Sequence, residues 1–172
     1  MKPARVLLVG MMGSGKSSIG RAISERTGWV YRDNDELVAD LTGVVTAVLL
    51  EQRGEAALRE AEAQALAKVL TDEPPLVAGI AGGVVESTAN RELLAGDDGF
   101  VVYLHTAVEL LVERVGTGEG RPWLQPDPAT ALRRLYAGRE PRYREVADLV
   151  LDTSDGTAAE QADRVVAALA RR

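Results

Sequence analysis

The sequence predicts an α/β domain in which a mostly parallel β-sheet is covered by helices. Three observations carry that prediction. Short, continuously apolar runs alternate with stretches of helical spacing along the whole chain. The first of these runs opens directly into a glycine-rich loop and then a helix. At 172 residues, with no linker-like segment and no internal repeat, the chain has the size of one domain.

The elements follow in order. Val6-Leu7-Leu8-Val9 has no polar position, as a strand buried on both faces requires. Residues 16–26 place Ile19 and Ile23 four apart on one helical face, and Gly28 supplies a stop. Trp29-Val30-Tyr31 reads as a second strand. A helix-rich stretch follows, broken at Gly43 and Gly54; its part over 56–70 is rich in Ala, Leu and Glu, and Pro74-Pro75 ends it. Leu76-Val77-Ala78 is a third strand running into Gly82-Gly83, and residues 87–95 read as a helix. Phe100-Val101-Val102-Tyr103-Leu104 has the β-branched and aromatic content of a strand. Residues 108–115 are helical, 116–120 form a loop with three glycines, and 128–139 form a helix entered through Pro128. Leu149-Val150-Leu151 is the last strand and 158–170 the last helix.

Composition removes several function classes. Lys and Arg total 20 against 26 Asp and Glu, a net charge of −6, which repels nucleic acid and anionic membranes. Without cysteine there is no disulfide scaffold, no thiolate zinc site and no thiol nucleophile, and a reducing cytoplasm suits the chain. The one histidine, His105, leaves little room for a His-based metal site or a Ser-His-Asp triad. It follows the fourth strand and is expected at its exposed end. The charge-free run over 74–85 falls short of the ~18 apolar residues a membrane span needs. Met1-Lys2-Pro3-Ala4-Arg5 ahead of Val6 has the outline of a signal peptide. The apolar run stops at Gly10 with no small-residue cleavage site, so a buried strand is the better reading. With a single Phe, the core must be built from Val, Leu, Ile and Ala. Arg171-Arg172 reads as a solvated tail. The acidic total hides an asymmetry: residues 114–144 hold seven arginines against three acids, a local +4 that leaves −10 elsewhere.

Gly10-Met11-Met12-Gly13-Ser14-Gly15-Lys16-Ser17 fits G-x-x-x-x-G-K-[ST] between a strand and a helix. Its glycines let the backbone wrap a phosphate, and the N–H groups from Gly13 through Ser18 then point at the anion with the helix N-terminus behind them. Lys16 supplies charge to the β- and γ-phosphates of ATP, and the Ser17 hydroxyl can ligate Mg²⁺. Asp33-Asn34-Asp35 follows the second strand, at the sheet edge where ligands bind in open α/β folds. One acid could hold Mg²⁺ through water while the other accepts or orients a hydroxyl proton. Alternation along an extended chain would put Asp33 and Asp35 on one side. Acids in this place also cap helices and turns.

In order along the chain, these motifs resemble those of the shikimate kinase family. Gly10 to Arg21 matches its G-x-M-G-x-G-K-[ST]-x-x-G-R stretch, and Asp33 and Asp35 its D-x-D. Leu58-Arg59-Glu60-Ala61-Glu62 matches [FL]-R-x-x-E, Ala81-Gly82-Gly83 a glycine triplet, Arg121-Pro122-Trp123-Leu124 the lid motif R-P-L-L, and Arg139-Glu140-Pro141-Arg142-Tyr143 R-x-P-x-Y. The resemblance implies a three-layer αβα P-loop kinase fold with a five-stranded parallel sheet, a mobile lid and an acceptor-binding helical region. It implies one domain over 1–172: a core at 1–32 and 72–112, an acceptor region at about 33–71, a lid at about 116–126, and a closing strand and helix at 148–170.

The same resemblance implies phosphorylation of the 3-hydroxyl of shikimate by Mg·ATP, by a cytoplasmic monomer. Lys16, Asp35 and Arg121 would be catalytic, with Asp35 orienting the hydroxyl and Arg121 neutralising the transferring phosphoryl group. Asp33 and Ser17 would serve Mg²⁺, and Arg114 would stack on adenine. Arg59 and Arg139 would fork onto the acceptor carboxylate, Glu62 would hold Arg59, and Gly82 and Gly83 would offer N–H groups. Three departures bear on the acceptor: Ala81 stands for the first glycine, Leu50 and Leu58 stand where the family has aromatic residues, and Trp123 replaces an aliphatic lid residue. They keep two alternatives open, a kinase of another polyol acid such as gluconate or a cyclitol, and a non-catalytic nucleotide-binding protein.

Overall fold

A computed structural model describes residues 5–96 and 98–172; Met1 to Ala4, which begin the signal-peptide-like run, lie outside the described residues. Strands β1 (Arg5–Val9), β2 (Val30–Asp33), β3 (Leu76–Gly79), β4 (Phe100–His105) and β5 (Leu149–Asp152) form one sheet in the order β2-β3-β1-β4-β5. Every pairing is parallel, with Val6 opposite both Val77 and Phe100. Parallel neighbours need crossovers, and helices supply them. These are α1 (Lys16–Thr27), α2 (Asn34–Thr42), α3 (Thr46–Thr71), α4 (Thr88–Gly96), α5 (Val108–Val115), α6 (Pro128–Val146) and α7 (Ala158–Leu169).

The two-residue period of the central strands divides the core into two layers. Leu7, Val9, Val101 and Tyr103 pack with Leu66, Val69, Leu94, Leu111 and Leu132 from α3 to α6. Val6, Leu8, Val102 and Leu104 pack with Ile19 and Ile23 of α1 and Ala162 and Val165 of α7. A smaller cluster, Val38, Leu49, Leu58, Ala61 and Ala65, joins α2 to α3 beside the sheet. Among the described residues, no helix is long and apolar enough to cross a membrane.

Local signals fix the helix ends. Gly28 closes α1 with a left-handed φ of 73°, and Thr157 and Glu160 form a reciprocal capping box on α7. Gly54, at φ 81°, interrupts α3 where the sequence places a break.

Four expectations need correction. The second strand is Val30–Asp33, so it omits Trp29 and reaches the acidic motif. His105 belongs to β4 instead of following it, half-buried with Nε2 3.2 Å from the Tyr136 hydroxyl. The helix from Pro128 continues past Arg139 and through Pro141 to Val146. Burial of Tyr143 and Val146, with Tyr143 stacked on Tyr103, offsets the hydrogen bond Pro141 cannot donate. Arg172 is no free tail, because it donates to the Gly99 carbonyl at 2.7 Å and lies over the Phe100 ring.

Tyr31 packs its ring on Gly20 of α1, where an added Cβ would lie 2.3 Å from a ring carbon. Gly20→Ala is expected to destabilise the protein by about 1–3 kcal/mol through overpacking. Thermal unfolding checks this: a lower Tm is expected, with the added penalty removed in a Tyr31→Ala background, and an unchanged Tm contradicts the packing.

Candidate active site

The chain leaves β1 through Gly10 at φ 151°, where a Cβ would meet the Leu104 carbonyl oxygen at 2.8 Å. Gly13 and Gly15 have φ of 82° and 93°, and Gly15 immediately precedes α1. The loop therefore presents backbone N–H groups and a helix N-terminus in one cradle. Lys16 folds back over it, its Nζ donating to the carbonyls of Gly10 at 2.8 Å and Met11 at 3.0 Å. Burial pushes the Lys16 ammonium down to about 8; Asp35 and Asp33 pull the other way, while Arg139 and Arg121 lower it further. Ser14 is buried, and its hydroxyl has no hydrogen-bond partner among the described residues.

Asp33 ends β2 and caps α2. One carboxylate oxygen accepts from the Asp35 N–H at 3.0 Å, and the other accepts from the Ser17 hydroxyl at 2.9 Å and the Tyr31 hydroxyl at 3.0 Å. The capping role and the site role thus coexist in one side chain. Asp35 lies in the first turn of α2, so strand alternation does not bring the two acids together. The strand-to-helix bend does, and both line the same cavity. Burial pushes Asp33 up, but the hydrogen bonds from Ser17, Tyr31 and the Asp35 N–H outweigh it and hold its pKa below the usual carboxylate value. Asp35 is raised, first by burial and then by the Asp33 charge, against the pull of Asn34, Lys16 and Arg121.

The segment of α3 after Gly54 carries Arg59 and Glu62, which the i, i+3 spacing places side by side. Arg59 Nη1 donates to Glu62 Oε2 at 2.7 Å, and Nη2 reaches Glu55 at 3.4 Å. The Arg59 guanidinium lies on the Gly83 backbone so closely that a Cβ there would be 2.0 Å from Nη1. Gly82 faces Arg139, whose side chain is 4% exposed, and the Tyr143 hydroxyl donates to the Gly82 carbonyl at 2.8 Å. Ala81 has φ −57°, so the place of the missing glycine needs no left-handed backbone. Its methyl, Leu50 and Leu58 form apolar cavity wall.

A cavity of about 650 Å³ joins these groups. Lys16, Ser17, Ser18, Asp33, Asp35, Arg59, Glu62, Gly82, Gly83 and Arg139 all line it, and Glu119, Gly120, Arg121 and Trp123 close one side. The segment carrying Arg121 is pinned by Leu124, fully buried at the end of a 3-10 turn over Pro122–Leu124. Arg114 lines a separate cavity of about 370 Å³ behind the loop, with Gly13, Ser14, Gly15 and Ser18. It donates to the carbonyls of Gly13 at 3.0 Å and Thr153 at 3.4 Å.

Sequence reasoning missed three contributors. Tyr31 was detectable, because residues two apart in a strand share a face and Tyr31 precedes Asp33 by two. Arg134 adds a cation to the cavity wall from α6, but its i−5 spacing from Arg139 gives no shared-face signal. Glu86 touches both Arg59 and Arg139 across long sequence separations, which no local spacing reveals.

Chemically, the cavity has two anion-binding ends. One has backbone N–H groups, Lys16 and Arg121; the other has two guanidiniums suited to a planar carboxylate. Asp35 is coupled electrostatically to Lys16 and Arg121 on one side and to Glu62 on the other. Such an arrangement suits phosphoryl transfer to a hydroxyl on a carboxylate-bearing acceptor.

Comparison with known proteins agrees with this chemistry. The family model described as shikimate kinase matches residues 12–170. A shikimate kinase from Stenotrophomonas maltophilia is 42% identical over 172 residues, covering 99% of this chain and 94% of that one. The structure of shikimate kinase from Acinetobacter baumannii in complex with shikimate superimposes with a TM-score of 0.92 at 34% identity, covering 99% of this chain and 94% of that one. A gluconokinase from Sinorhizobium meliloti shares the fold, with a TM-score of 0.69 at 23% identity over 98% of this chain and 93% of that one.

The depressed Lys16 predicts a pH dependence. A protonated ammonium suits a phosphate, and in the free protein it is lost as pH rises through about 8. Nucleotide binding above that pH must take up a proton, so affinity for ADP should fall about tenfold between pH 7 and 9. Calorimetric titration in buffers of different ionisation enthalpy checks both the affinity and the proton uptake; a flat profile contradicts the shift.

Proposed function

The chain belongs to the shikimate kinase family, and on that footing we propose that this site transfers the γ-phosphoryl group of ATP to the 3-hydroxyl of shikimate. The products are ADP and shikimate 3-phosphate, on the route to aromatic amino acids. The observation that carries the reading is the pairing, in one cavity, of a phosphate cradle with a two-arginine fork, Arg139 buried and Arg59 partly so.

The loop from Gly13 to Ser18 wraps the triphosphate, Lys16 sits against its β- and γ-phosphates, and Arg114 faces the base from the adjoining cavity. The shikimate carboxylate lies on Arg59 and Arg139, with Glu62 holding Arg59 in place. Gly82 and Gly83 let the guanidiniums of Arg139 and Arg59 lie against the backbone and offer N–H groups to the ring hydroxyls, beside a wall made by Ala81, Leu50 and Leu58. Asp35, raised by burial, accepts the 3-hydroxyl proton as the oxygen bonds to phosphorus and the bond to the ADP oxygen breaks. Arg121 spreads the charge of the equatorial oxygens, and Trp123 helps to shut out water. Most of the rate then comes from positioning and fixed charge.

A divalent ion fits this donor set. Ser17 and Asp33 offer hard oxygens that already converge, hydroxyl on carboxylate at 2.9 Å, so Mg²⁺ would sit on Ser17 directly and on Asp33 through water. When bound, the ion would neutralise phosphate charge and align the β- and γ-oxygens. The functional regions follow: a core at 1–32 and 72–112, an acceptor region at 33–71, a lid at 116–126, and a closing strand and helix at 148–170. The reading includes action as a monomer.

Arg139→Lys keeps the charge and loses the planar fork. It is expected to raise the KM for shikimate about 10- to 100-fold while moving the KM for ATP less than about threefold. Coupled ADP-release kinetics with shikimate and gluconate as acceptors checks this. Equal effects on both substrates, or faster turnover of gluconate by the unmodified protein, would contradict the acceptor assignment.

A further inference from the structure

The fork that receives the acceptor carboxylate is built from two separate helices, Arg59 on α3 and Arg139 on α6. Two guanidiniums facing one site repel each other, and neither helix fixes the other's side chain. Glu62 restrains Arg59 from within α3 by a hydrogen bond and acts on Arg139 through charge, with no hydrogen bond to it among the described residues. One further carboxylate spans both. Glu86, the last residue of the 3-10 turn Gly82–Glu86, accepts from Arg139 Nε at 3.0 Å through Oε1 and lies 3.7 Å from Arg59 Nη2 through Oε2.

The geometry points to Glu86 as a positioning residue for acceptor binding: it ties the Arg59 and Arg139 guanidiniums into one fork and leaves the terminal Nη pair of Arg139 for the acceptor carboxylate. This rests on the assignment of those arginines to shikimate.

Three features support it. Glu86 is absent from the wall of the main cavity, so it braces the guanidiniums from outside and does not occupy the acceptor's place. Its use of Nε selects which edge of Arg139 stays available, because a guanidinium offers a carboxylate either its Nε edge or its Nη pair. Its own backbone is held, since Arg91 Nη1 donates to the carbonyls of Val85 at 2.8 Å and Glu86 at 3.4 Å, and Arg91 Nε reaches Glu145 of α6 at 3.3 Å. The turn that starts with Gly82 and Gly83 therefore ends in the brace that aligns both arginines above those glycines. Nothing local in the sequence marks Glu86, yet it is the one carboxylate seen to contact the two guanidiniums together among the described residues.

The test is steady-state kinetics of Glu86→Ala and Glu86→Gln with both substrates. Glu86→Ala should raise the KM for shikimate about tenfold, with the KM for ATP changed less than about twofold and kcat lowered less than the KM rises. Glu86→Gln keeps an oxygen for Arg139 Nε but turns donors toward Arg59, so it should fall between Glu86→Ala and the unmodified protein. A brace that matters only for folding would lower Tm and leave the KM for shikimate unchanged in both variants, which overturns the proposal, as does an equal rise in both KM values. If Glu86→Ala does not fold, the Glu86→Gln KM alone decides by the same criteria. Arg139→Lys run alongside separates the two claims. If it raises the KM for shikimate and neither Glu86 variant does, Glu86 is not a brace; if it leaves that KM unchanged, the arginine fork itself is wrongly assigned.

Discussion

The site depends on a turn that no side chain could occupy. β1 runs between β3 and β4 with hydrogen bonds on both sides, so its direction and end point are fixed by the whole sheet. At Gly10 the backbone passes so close to the Leu104 carbonyl that a Cβ would be 2.8 Å away. The carbonyls of that same turn, Gly10 and Met11, receive Lys16. The Ile80 N–H donates to the Leu8 carbonyl at 2.9 Å, which carries the end of β3 alongside and delivers Gly82 and Gly83 to the other end of the cavity. The phosphate cradle and the acceptor fork are thus two outcomes of one sheet edge, as expected where ligands bind beyond the carboxyl ends of parallel strands.

Charge is the second organising factor. The site gathers positive side chains at both ends of a 650 Å³ cavity, among carboxylates drawn from four different elements. Asp33 comes from β2, Asp35 from α2, Glu62 from α3 and Glu86 from the 3-10 turn after β3. Distribution of this kind lets a chain of net charge −6 focus cations around one cavity. It also separates the two anionic ligands by function. Backbone N–H groups and a point charge suit a triphosphate, whereas paired planar guanidiniums suit a carboxylate.

Much of this was legible in the sequence, for reasons that differ by element. β1 and β4 were readable because a strand buried on both faces must be continuously apolar. The phosphate loop was readable because its backbone geometry demands glycine at fixed positions, and its lysine and serine follow at once. Arg59 and Glu62 were readable as a pair from helical spacing. What escaped depended on contacts distant in sequence. The course of α6 through Pro141 is set by burial of Tyr143 and Val146, which overrides local propensity. Asp33 and Asp35 meet through a bend at the end of β2 that strand periodicity cannot describe. The bracing by Glu86 spans 53 residues to Arg139. The substitution at Ala81 proved compatible with the backbone because the angle there is −57°.

In the proposed reaction the acceptor fork and the phosphate cradle together present one particular hydroxyl for transfer, and the product reports which one. Incubation with Mg·ATP and shikimate, followed by phosphorus–proton correlation NMR, should show a phosphorus coupled to the proton on carbon 3. A phosphate on another hydroxyl, or ATP consumption without a phosphorylated acceptor, would contradict the account.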